Sequence, residues 1–188
     1  MAKMKNDTAV VTGKVRLSFV NLFKPKAFEG QDAKYSALIL IPKEDKDTVN
    51  FIKKAQKNAA KAKWGDKVPK NLKQTLRDGD EEMDTEERPE YAGHYFMNVS
   101  SKRKPQLFSR GTGVDGKPLP IESEEELYSG CYAQVSINAY GYEVSGSKGV
   151  TFGINGCRKV ADGESLGGFV DTTDDYDDFE DEDEDDIL

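Results

Sequence analysis

The sequence predicts an all-β dominated fold: a small barrel of five to seven strands with one inserted α-helix, long loops and a disordered acidic C-terminal tail. Three observations lead there. Period-two alternation of apolar and polar residues recurs along the chain. The period turns helical in one stretch only. The strands otherwise follow one another through Gly-rich corners, with a single strand–helix–strand passage, which argues against a parallel βαβ sheet. A chain of 188 residues suits one domain and can bury a core without disulfides or metals.

Residues 1–9 are polar and predict a flexible start. From Val10 the run VVTGKVRLSFVNLF alternates, with Val11, Val15, Leu17 and Phe19 on one face and Thr12, Lys14, Arg16 and Ser18 on the other. KPKAFEGQD connects it to a second strand, KYSALILIPK, which Pro42 stops. A helix follows over about 46–63. Asp45 or Asp47 is its N-cap, Val49, Ile52, Ala55, Ala59 and Ala62 form its apolar stripe, and Gly65 ends it. Its lysines read as a solvated face.

Residues 65–92 hold nine acids among Gly and Pro and predict a long loop with a short helix or strand. A strand over 94–101 runs into the basic turn Lys102-Arg103-Lys104 and a short partner strand. After an acidic connector, GCYAQVSINAYGYEV and KGVTFGINGCRKV form the best hairpin in the chain, turned by SGSKG. The domain so delimited spans 10–160, with a linker over 161–170 and the tail over 171–188.

The net charge of −8 conceals an asymmetry. All 27 Lys and Arg precede position 160, whereas 12 of the 35 acids follow position 170, so residues 1–170 carry +4 and the tail −12. A basic body with an acidic terminus points toward nucleic acid or self-masking. Cys131 and Cys157 lack metal-site spacing, and Cys131 reads as a buried reduced thiol. With no secretory h-region and no run of 18 apolar residues, the expectation is a soluble cytoplasmic protein without membrane contact.

Catalysis finds little support. His94 is the only histidine, which excludes His-based triads and multi-His metal sites. No phosphate-binding loop of the Walker or dinucleotide type is present. The acids of 78–90 lack the ligand spacing of a calcium loop and read as solvated. No cofactor and no metal is therefore expected.

The strand faces are more informative. Along 131–142 the odd positions are small and apolar, while the even ones read Tyr132, Gln134, Ser136, Asn138, Tyr140 and Tyr142. Rings interleaved with amides and hydroxyls suit single-stranded nucleic acid, whose bases stack on aromatic faces. Tyr132, Tyr140 and Tyr142 are the candidate stacking residues, with Phe96 and Phe108 nearby. Lys14, Arg16, Lys102, Arg103 and Lys104 are the candidate phosphate contacts. The same tyrosines could equally pack under a loop or in a protein interface. The alternatives are thus an interaction or chaperone-like module whose tail binds basic partners, an RNA-binding protein or, more remotely, a metal-dependent nuclease.

Several stretches in succession resemble one family: VRLSFVNLFKPKAF, KYSALILIPK, KWGDKVPKNLKQTLRDGDEE, YAGHYFMN, YSGCYAQVSINAYGY and GVTFGINGCRKVADGESLGG. They are similar to the phage-encoded single-stranded DNA-binding proteins, also found in prophages, from about Thr12 to Gly168. The resemblance implies an OB-fold, a five-stranded barrel whose face and loops hold oligonucleotides. It also implies sequence-independent binding of single-stranded DNA in phage replication and recombination, inside an infected or lysogenic host, and no catalytic residues. The resemblance also implies a flexible acidic C-terminus, which residues 171–188 supply. Their twelve carboxylates, opposite a body of +4, are expected to compete with phosphates for the same cations and, once displaced, to reach replication or recombination proteins, with Asp181, Glu182, Asp183, Glu184, Asp185, Asp186, Ile187 and Leu188 as the candidate contacts. Bacterial proteins of this kind, and some phage ones, end such tails in Phe, whereas this chain ends Ile187-Leu188. A homodimer stays open.

Overall fold

The computed structural model describes residues 1–27 and 29–167. The tail residues named above lie outside the described residues. The strands are β1 (Lys3–Met4), β2 (Ala9–Val11), β3 (Val15–Lys26), β4 (Lys34–Pro42), β5 (Arg77–Asp78), β6 (His94–Ser101), β7 (Gln106–Thr112), β8 (Pro118–Pro120), β9 (Tyr132–Val144) and β10 (Ser147–Ala161). The helices are α1 (Lys46–Trp64) and the short α2 (Gly79–Glu82), with single 3-10 turns at Pro89–Tyr91 and Glu124–Glu126.

Five strands close a barrel in the order β9-β3-β4-β6-β10, and β10 returns to pair with β9. All contacts around it are antiparallel except β6 with β10, where Phe152 lies beside Val99 in parallel. This is the five-stranded OB topology that the resemblance implies. Most inward positions alternate as the sequence predicts, but Val11, expected inward, is half-buried while Val10 and Thr12 are fully buried, because the first run is broken into β2 and β3. Val15 and Leu17, Ile39 and Ile41, Met97 and Val99, Val135 and Ile137, and Phe152 and Ile154 form one core with Val49, Ile52, Ala55 and Ala59 of α1. Cys131 and Cys157 are buried free thiols in that core, and burial pushes both above the usual thiol range.

The Thr12–Gly13 kink ties sheet to helix. Thr12 Oγ1 accepts from the Val135 amide at 3.1 Å, and the Gly13 amide donates to Thr48 Oγ1 at 2.9 Å. Asp45, the N-cap, accepts from the Thr48 amide at 3.2 Å. A Cβ on Gly13 would stand 2.4 Å from Asp45 Oδ2, so only glycine lets the strand pass this close to the helix cap.

Four further features depart from expectation. Residues 3–11 form the β1–β2 hairpin, and β2 pairs along β9 at Ala9↔Asn138 and Val11↔Ser136, because β3 occupies only the start of that edge. Phe19, expected inward, is 55% exposed at φ +48°, because a bulge between Ser18 and Asn21 flips the alternation and buries Leu22 in its place. β7 does not fold back on β6. Both run parallel to β10, which changes partner at a bulge between Ile154 and Gly156, and residues 102–105 loop out between them. The acidic stretch is more than a solvated loop. Lys43 donates to Asp78 at 2.6 Å and Asp80 at 2.7 Å, and this pins α2 to the end of β4. Among the described residues no helix is long and apolar enough to cross a membrane.

The hydrogen bonds to Lys43 hold both carboxyls below the usual range and raise the lysine. Carboxyls with depressed folded values stabilise the fold above their unfolded values of about 4, and that contribution disappears as pH falls through the folded values. Lys43→Met should therefore lower stability at neutral pH, and its deficit relative to wild type should shrink progressively as pH falls below about 4, through the depressed folded values. Urea unfolding at both pH values measures this, and a deficit independent of pH would contradict the assignment.

Candidate nucleic-acid interface

The outer face of β3, β4 and β6 is divided in two. On one half Leu38, Leu40 and Phe96 form a second buried cluster with Tyr91, against which Met83 and Leu166 pack. The Tyr91 and Phe96 rings meet edge to face, centroids 5.0 Å apart, and the Arg77 guanidinium lies 5.0 Å from the Phe96 centroid. The segment from α2 to Tyr91 is the cover. Its Arg88 reaches over the Phe19 ring at 5.9 Å.

The other half is open. A groove of about 490 Å³ is lined by Phe19, Asn21, Ser36, Asn98 and Ser100, together with the paired ends of β3 and β4, Lys26 and Lys34, and Asp32 between them. Asn98 also lines a neighbouring hollow of about 210 Å³ with Tyr142, Thr151 and Arg77. Register explains the continuity. Ser36 pairs with Ser100, Ser100 with Gly153, Gly153 with Asn138, and Thr151 with Tyr140. The tyrosines reach this surface because β10 presents glycines beneath them. A Cβ on Gly153 would lie 3.6 Å from the Tyr140 ring, and one on Gly149 would stand 2.7–2.9 Å from the Tyr142 ring and hydroxyl. Gly149 thus admits the Tyr142 ring where any side chain would displace it. A polar track with Phe19 at one end and Tyr140 and Tyr142 at the other crosses the barrel.

The sequence-predicted residues divide accordingly. Tyr140, 46% exposed, and the half-buried Tyr142 lie on the track. Tyr132 does not: eight residues earlier on β9, it is roughly 26 Å from Tyr140 at strand rise. It is half-buried there under Lys14 (5.2 Å) and Arg16 (5.6 Å). Arg16 is committed further, donating to Gly130 O at 3.0 Å and Glu164 O at 2.8 Å. Lys14, Arg16 and Tyr132 therefore form one cluster, separate from the groove. Phe96 is only 4% exposed, so its ring is a core element and not a stacking platform. Phe108 is half-buried on β7 opposite Arg158, which pairs with Gln134 toward the Tyr132 end of β9. Lys102, Arg103 and Lys104 are exposed, and Lys102 reaches Asp32 on the groove rim at 3.5 Å.

Sequence reasoning missed Phe19, Asn21, Lys26, Lys34, Asn98 and Ser100. The alternation in HYFMNVSS carried the last pair, since Asn98 and Ser100 share a face opposite Met97 and Val99. Phe19 had no such signal, because the bulge breaks the period. The predicted linker is also partly fixed. Tyr128 Oη donates to Gly163 O at 2.9 Å, and the Leu166 amide donates to Ser129 O at 2.8 Å. Lys159 donates to Asp162 at 2.6 Å, which keeps that carboxyl below the usual range.

Comparison with known proteins places the chain among phage proteins. The family model described as "Enterobacter phage Enc34, ssDNA-binding protein" matches residues 8–188. Putative protein p50 of Acyrthosiphon pisum secondary endosymbiont phage 1 is 34% identical over 189 residues, covering 93% of this chain and 95% of that protein. The fold is similar to that of the single-stranded DNA-binding protein from bacteriophage Enc34, solved in complex with ssDNA. The TM-score is 0.70 at 24% identity, over 85% of this chain and 90% of that one. It is also similar to gp2.5, a single-stranded DNA-binding protein encoded by bacteriophage T7, with a TM-score of 0.57 at 12% identity over 87% and 97% of the two chains.

Structural and open aromatics should separate in a denaturation experiment. Phe96→Ala should cost about 3–5 kcal/mol, as buried aromatic truncations do. Tyr140→Ala should stay within about 0.5 kcal/mol of wild type, as exposed sites do. Equal losses would contradict the division of the face.

Proposed function

The chain belongs to the family of the Enterobacter phage Enc34 single-stranded DNA-binding protein, and from that premise we propose that it is a non-catalytic protein that binds single-stranded DNA without sequence preference. One observation carries the reading: the open track on which Phe19, Tyr140 and Tyr142 flank a row of Asn and Ser side chains, with lysines at the rim. Bases stack on such rings for about 1–3 kcal/mol each, whatever their identity. Lys26, Lys34 and the 102–104 turn neutralise phosphates, so affinity falls as salt rises. The solved complex of the Enc34 relative with ssDNA supports the ligand class. The protein then protects and organises exposed strands during phage DNA replication and recombination in the cytoplasm of the host.

The acidic tail competes with DNA for these cations and recruits replication partners once displaced. The start of the tail supports this. Gly167, the last described residue, lines a hollow with Ser129, Val20 and Asn21, and Asn21 also lines the DNA groove. The described chain thus ends at the groove's edge.

Fluorescence titration with oligo-dT tests the reading. Tyr140→Ala and Tyr142→Ala should each weaken binding by about 5- to 150-fold, the equivalent of one lost stack. Ending the chain at Val170 should tighten binding, and more so at 10 mM salt than at 150 mM, because the screening length shrinks from about 30 Å to about 8 Å. Wild-type affinity in both tyrosine variants would overturn the stacking site, and an unchanged low-salt affinity would overturn the competition.

A further inference from the structure

A second cationic groove lies on the flank of α1. Lys53, Lys57 and Lys73 rim it, and Val68, Leu72 and Val150 form an aliphatic floor, in a volume of about 330 Å³. Residues 46–73 hold nine lysines against two acids, a surplus of +7, whereas the whole of 1–170 carries only +4. The stretch that forms α1 and the loop after it thus carries more positive charge than the body as a whole, and three of its lysines rim this groove. Among the described residues none of the α1 lysines forms an ion pair, although Lys43, Arg77, Lys102, Lys148 and Lys159 all do. Lys53 lies 5.5 Å from the Tyr95 ring centroid. Cations beside an apolar floor suit a polyanion that also brings apolar groups.

We propose that this groove is a docking site for the acidic tail, residues 171–188, separate from the DNA track and available while DNA is bound. The tail has the matching composition: twelve acids interleaved with Tyr176, Phe179, Ile187 and Leu188. Its reach suffices. Twenty-one residues follow Gly167 and span up to about 70 Å when extended, whereas halfway round a domain of this size is about 60 Å. The floor argues for a peptide over a lengthened DNA path, because it is aliphatic and offers no ring on which a base could stack. The groove adjoins the DNA track through Lys73 and Val150, which also line the Tyr142 hollow. A tail displaced by DNA therefore has a neighbouring site to occupy, and Ile187 and Leu188 acquire an aliphatic surface.

All the barrel strands lie within residues 1–167, so a chain ended at Val170 keeps the folded unit. Anisotropy of a labelled 171–188 peptide should report binding to that chain, and binding should persist when the DNA track is saturated with oligo-dT. Lys53→Glu with Lys57→Glu, both exposed on α1, should weaken the peptide about tenfold while leaving oligo-dT affinity unchanged. A peptide with Tyr176, Phe179, Ile187 and Leu188 all changed to Ser should also bind more weakly. Complete displacement of the peptide by oligo-dT would overturn the proposal, since the tail would then have one site shared with DNA. So would a loss of oligo-dT affinity in the lysine pair without loss of peptide, or equal binding of the Ser-substituted peptide. Circular dichroism melts of the variants check that the fold is intact.

Discussion

The site depends on barrel closure by β9 along both its edges. One edge takes β10 from Val144 down to Tyr132; the other is shared between β2 and the start of β3. Double pairing fixes the register of β9, and register fixes which side chains face out, since a slip of one residue would exchange the two faces. The small inward residues Ala133, Val135, Ile137 and Ala139 let α1 sit close over the strand. The same alternation places Tyr140 and Tyr142 outward over the glycines of β10. A tight core and an open tyrosine-bearing surface are thus two faces of one strand.

The outer face of the sheet is limited in area, and the protein divides it. Leu38, Leu40 and Phe96 are too apolar to leave in water, and the segment pinned by Lys43 covers them. Ser36, Asn98 and Ser100 continue the same strands with small polar groups, and there the cover stops. Asp78, Asp80 and Glu82 of the acidic stretch stand beside Lys43 and Arg77, cations of the covered half.

Much of this was legible in the sequence because it follows from periodicity. Helix α1 with its Asp45 cap, the β9–β10 hairpin and the stop at Pro42 each rest on local signals that the tertiary structure leaves intact. The misreadings share a cause: long-range context overrode a local rule. A bulge turned Phe19 outward, and a distant Tyr91 buried Phe96. Arg16 was drawn to carbonyls 114 and 148 residues away in sequence. The β1–β2 hairpin was hidden because its strands are two and three residues long, too short for a period to show. For the tail, composition alone carried the reading.

Photocrosslinking tests the central claim most directly, that single-stranded DNA lies on the track from Phe19 to Tyr142. An oligonucleotide of 5-iodo-deoxyuridine, irradiated in complex with the full chain and mapped by peptide mass spectrometry, reports which rings contact bases. Crosslinks at Tyr140, Tyr142 or Phe19, with none at Tyr132, Phe96 or Phe108, are the predicted result. Crosslinks concentrated at Tyr132 or Phe108 would place the strand on the opposite end of β9 and contradict the account.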